Sequence, residues 1–113
     1  MTRTRLPNRR LNETLELMFN DTRYAVTVGY YPGINCIGEV FTHGAKVGSN
    51  MDAILDDACV ALSMLLQYGV EPAGLAAGMG RLGDAGAPAS IIGALADLVA
   101  GKADDRMAAV GAS

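Results

Sequence analysis

Two stretches of alternating side chains open the chain. Leu15, Leu17 and Phe19 alternate with Thr14, Glu16 and Met18, the period of two that a strand with one buried face requires. Asn20-Asp21 follows, and both residue types tolerate the positive φ that a two-residue hairpin turn demands. Tyr24, Val26, Val28 and Tyr30 then alternate with Arg23, Ala25, Thr27 and Gly29, which predicts the returning strand. Tyr31-Pro32-Gly33 has turn chemistry, so Cys36 to Phe41 reads as a third strand and the three form an antiparallel meander.

Beyond residue 50 the period lengthens. From Met51 to Tyr68, the residues Asp52, Asp56, Ser63 and Gln67 share one face at helical spacing, while Ile54, Leu55, Ala58, Leu62, Leu65 and Leu66 cover much of the rest. The pattern predicts a helix buried over most of its surface against the sheet, capped by Ser49 or Asn50 and ended by Gly69. Glu71-Pro72 starts a second, short helix that Gly74, Gly78 and Gly80 weaken. Residues 83–87 read as a loop, and Pro88 as the start of a third helix carrying Ile91, Ile92, Leu95, Leu98 and Val99 as far as Gly101. The expected fold is α+β: a three-stranded antiparallel meander followed by about three helices packed on one face. It comprises a basic arm over residues 1–12, one domain over 13–101, and a small, polar, fraying tail over 102–113.

Composition narrows the function classes. The 113 residues suffice for one core, half of them are hydrophobic, no apolar run approaches the length of a membrane span, and no h-region follows the charges at the N-terminus. Cys36 and Cys59 form no Cys-x-x-Cys pair, so neither a disulfide framework nor a zinc ribbon is implied, and a reducing cytoplasm is the natural setting. Net charge is −3, yet Arg3, Arg5, Arg9 and Arg10 place four of the nine basic residues in the first ten positions. Such an arm can meet nucleic acid or an acidic partner, or pack on its own acidic domain.

The candidate motifs are thin. Gly44-Ala45-Lys46-Val47-Gly48-Ser49 places its Lys before the second Gly, the wrong register for a phosphate-wrapping loop, although a helix N-terminus beside a Lys can still hold an anion. Gly78-Met79-Gly80-Arg81-Leu82-Gly83 matches a dinucleotide fingerprint, with Asp104 at the distance of a ribose-binding acid, but no strand precedes it. A metal site of Cys36, His43 and Cys59 has no spacing signature. The adjacent Asp56 and Asp57 diverge on a helix and cannot face each other as a catalytic pair. Arg5, Arg9, Arg10, Lys46, Gly48 and Ser49 remain as phosphate- or partner-binding candidates. Exposed sheet edges and the small-residue faces of the later helices also allow a homodimer.

The order of several short motifs resembles a known family. Arg5-Leu6-Pro7-Asn8-Arg9-Arg10, Glu13-Thr14, Gly38-Glu39-Val40-Phe41, Lys46-Val47-Gly48-Ser49, Asp57-Ala58, Ser63 with Gln67-Tyr68-Gly69, and Pro88 with Ile92-Gly93-Ala94 together resemble the TSCPD-type domain. That domain occurs at the C-terminal end of adenosylcobalamin-dependent (class II) ribonucleotide reductases and as small free-standing proteins. The resemblance spans about residues 5–99 and implies a link to deoxyribonucleotide synthesis, with a reductase large chain as partner. It does not imply catalysis or a cofactor held by this chain: adenosylcobalamin would enter only through the partner. The Thr-Ser-Cys-Pro-Asp stretch that names the family corresponds to Ala87-Pro88-Ala89-Ser90-Ile91, which has no cysteine.

Overall fold

The computed structural model describes residues 2–33, 36–43 and 50–111. Three strands, β1 (Asn12–Phe19), β2 (Thr22–Tyr30) and β3 (Ile37–His43), form one antiparallel sheet in the order β1-β2-β3. Asn20 and Asp21 both take positive φ, at 49° and 61°, the primed-turn geometry whose twist matches the flanking strands. This turn sets the register, pairing Leu15 with Val26 and Leu17 with Tyr24. One face of the sheet therefore carries the alternating apolar residues. Val26, Val28, Tyr30 and Val40 on it are almost completely buried.

Helix α1 (Asn50–Gln67) packs beside β3 and inserts Leu55, Cys59, Leu62 and Leu66 into the core. It ends in a Schellman motif: Gly69 at φ 95° lets its N–H donate to the Leu66 carbonyl, and the Val70 N–H reaches back to Leu65, both at 3.0 Å. Helix α2 (Pro72–Ala77) starts on Pro72, where the absent N–H removes no intrahelical bond. Helix α3 (Ile91–Gly111) supplies Ile91, Ala94, Leu95 and Val99 to the same core, so the layout is the expected α+β one.

Three local expectations change. Pro88 does not start α3. It lies in β5 (Ala87–Pro88), which pairs with β4 (Arg81–Leu82) in a small hairpin. The helix is opened instead by Ser90, whose Oγ accepts from the Gly93 N–H at 3.1 Å. Gly101 does not end α3, because one glycine weakens a helix by only about 1 kcal/mol and the next turn is anchored. Lys102 Nζ lies 3.1 Å from Glu13 on β1, and Ala103 packs against the core.

The third change concerns α1, whose polar stripe faces the protein. Ser63 Oγ accepts from the Val40 N–H at 2.9 Å and donates to the Val40 carbonyl at 3.0 Å, and Gln67 Nε2 donates to the Gly38 carbonyl at 2.9 Å. The outer edge of β3 carries backbone groups that no fourth strand satisfies, and α1 satisfies them with side chains. The opposite side of α1 is apolar and exposed: Met51, Ile54, Val60, Met64, Leu65 and Tyr68 lie there, contrary to a helix buried over most of its surface.

Candidate functional site

The N-terminal arm is built into this β3–α1 edge. Gln67, buried at the last turn of α1, is its anchor: its side-chain oxygen accepts from Arg3 Nε at 2.6 Å and its carbonyl from the Thr4 N–H at 2.9 Å. Tyr31, at the end of β2, donates its hydroxyl hydrogen bond to the Thr4 carbonyl, and burial raises its pKa above the usual tyrosine value.

A second fastening lies at the arm's other end. Arg10 grips Glu39 of β3 in a two-pronged ion pair, Nε to Oε2 and Nη2 to Oε1, the latter at 3.0 Å, while its Nη1 donates to the Pro7 carbonyl at 2.6 Å. The hydrogen bond to Glu39 raises the Arg10 pKa further above its ordinary value. Glu39 is buried because its register partner is Gly29: a Cβ there would sit 2.6 Å from Glu39 Cγ, closer than atoms pack. The pair thus depends on a glycine in mid-strand, where glycine marks close approach.

Of the four arginines in the arm, Arg3 and Arg10 are thus engaged within the fold, and Arg5 and Arg9 are exposed. Lys46, Gly48 and Ser49, the other half of the predicted binding surface, lie outside the described residues. The arm reads in sequence as a run of like cations. Their division into two anchors and two presented charges follows from Glu39 and Gln67, which no local signal marks as partners.

The remaining chemistry is dispersed. Cys36 is exposed near β3, Cys59 is buried on α1 with its thiol pKa pushed up by burial, and His43 at the end of β3 shares a 2.9 Å hydrogen bond with Thr27 Oγ1. Thr27 in turn bonds Thr14 Oγ1 at 2.9 Å, a polar ladder across the face of the sheet turned away from the core. Among the described residues no three His, Cys, Asp or Glu side chains gather as a metal site.

The glycine fingerprint is divided between structural tasks: Gly78 ends α2, and Gly83 at φ 62° turns the β4–β5 hairpin. Arg81 within it donates to the Ala76 carbonyl at 2.7 Å and, through Nη2, to Asp97 Oδ1 at 2.6 Å, pinning the hairpin to α2 and α3. The same contact holds the Asp97 carboxyl below its usual pKa. The stretch from Ala87 to Ile91 forms β5, the Ser90 cap and the first residue of α3.

No helix among the described residues is long and apolar enough to cross a membrane. Compared with family models, with curated proteins and with solved structures, the chain finds no match in any of the three.

Proposed function

We propose that this chain is an accessory domain that works by binding, presenting Arg5 and Arg9 to an acidic protein surface. The observation that carries this reading is the fastening of the arm: bonds from Arg3, Thr4, Tyr31 and Arg10 hold the segment between them, and the two exposed arginines ride on it. Cations presented from a fixed segment lose less freedom on association than those of a loose leader.

The motif order of residues 5–99 makes an adenosylcobalamin-dependent ribonucleotide reductase large chain the first partner to try. The cofactor would belong to that partner. Mixing the purified chain with such a reductase should give co-elution and a change in turnover. If neither occurs, the assignment of the partner fails.

The second reading is binding of nucleic acid or a nucleotide phosphate through Arg3, Arg5, Arg9, Arg10 and Lys46. With Arg10 paired to Glu39, Arg3, Arg5, Arg9 and Lys46 neutralise at most about four phosphates, giving a log–log salt slope no steeper than about −4 on duplex DNA. Such shallow attraction favours the protein partner. A slope steeper than about −4 would reverse the preference.

A further inference from the structure

The exposed side of α1 has no role in the proposed function, and it carries six of the nine large hydrophobic side chains exposed among the described residues. We propose that it is an isologous contact with a second copy of this chain, the two α1 helices crossing antiparallel about Ala61.

Area comes first. Met51 and Val60 are each 58 % exposed, Ile54 53 % and Leu65 42 %, with Met64 and Tyr68 beside them. Together they offer roughly 500 Å² per copy, so a pair that covers all six buries about 1,000 Å², the lower bound for a specific interface. Methionine and tyrosine with few charges is the composition of an interface centre, and Asp57 is the single charged residue on this side.

Charge fixes the direction. The acids of α1, Asp52, Asp56 and Asp57, all lie in its first half, and the helix has no basic residue. Asp57 is the one of them on the exposed side, and so the one that a second α1 meets. A parallel pair would set Asp57 against Asp57. An antiparallel pair about Ala61 instead sets each Asp57 opposite Leu65, eight residues or about 12 Å along the axis from the other copy's Asp57. A two-fold axis requires that if one residue meets another, the reverse contact also forms. Centred on Ala61, this register sets Tyr68 against Ile54 and Met64 against Ala58, and the small Ala61 lets the backbones approach on the axis.

The test is sedimentation of the full chain from low to high micromolar concentration, together with variants at exposed positions. Wild type should dimerise reversibly. Val60→Glu and Met64→Glu should each weaken the dimer at least about tenfold, with an unchanged far-UV spectrum and, at concentrations where wild type is monomeric, an unchanged melting temperature. In a Cys36→Ser background, Ala61→Cys should cross-link to itself under mild oxidation, since a disulfide needs Cα atoms within about 7 Å, whereas Ala53→Cys, two turns off the axis, should not. Three results would each overturn the proposal: wild type monomeric throughout, a dimer indifferent to Val60→Glu and Met64→Glu, or equal cross-linking from positions 53 and 61. A monomer that still binds the reductase would remove this contact and leave the proposed function standing.

Discussion

Replacing Ser63 by Ala separates two pictures of α1 by the sign of the effect. On a solvent-facing polar stripe the change would stabilise the helix by about 0.5 kcal/mol, because alanine is the better helix former. In the structure Ser63 Oγ serves both the N–H and the carbonyl of Val40, a residue only 1 % exposed. Alanine removes the protein partner of both groups. A buried polar group stripped of its hydrogen bond costs about 1–3 kcal/mol, the N–H more reliably than the carbonyl. After subtracting the propensity gain, the net loss should be about 2 kcal/mol, or roughly a 10 °C fall in melting temperature for a domain of this size. Urea denaturation followed by far-UV circular dichroism measures it, with the slope unchanged and the midpoint lowered. Stabilisation, or a shift within about 0.5 kcal/mol, would refute the edge-capping role.

Three further outcomes follow from individual contacts. Arg10→Ala leaves the buried Glu39 carboxylate without its counter-ion and should destabilise by about 3 kcal/mol, while Arg9→Ala at the neighbouring exposed position should change stability by less than about 0.5 kcal/mol; paired denaturation curves compare them. Asp97 has a lowered pKa through its hydrogen bonds to Arg81, so its contribution is full above the unfolded carboxylate value near ~4 and disappears as pH falls through the lower folded value. The stability gap between wild type and Asp97→Asn should therefore be present at neutral pH and close on acidification below about pH 4. Cys36 is exposed and Cys59 buried with a raised thiol pKa, so a thiol reagent should label one site quickly in the folded protein and the second only on unfolding.

What the sequence revealed and what it hid divide along physical lines. The meander was legible because its first two strands alternate and because Asn20-Asp21 supplies both left-handed turn residues locally. The bounds of α1 were legible for the same reason: Gly69 ends it by backbone geometry alone. Its orientation was not, since period 3.6 finds a polar face and an apolar face without saying which one meets the protein. Here the polar face turns inward because the β3 edge needs donors and acceptors, a demand set by residues over twenty positions away. The same distance hid the sorting of the arginines: nothing near Arg10 announces Glu39, 29 residues on. The β4–β5 hairpin escaped because two-residue strands have no period, and the extension of α3 past Gly101 because its anchors, Glu13 and the core, are tertiary.

The central claim, that a fastened arm presents Arg5 and Arg9 for binding, is tested most directly by a binding isotherm against an adenosylcobalamin-dependent reductase large chain. Wild type should be compared with the Arg5→Glu, Arg9→Glu double variant at low and high salt. Saturable binding that falls at least about tenfold on double reversal and weakens with salt, at unchanged stability, is the predicted result. Binding equally tight in the double variant, or no binding of the wild type at low salt, would contradict it.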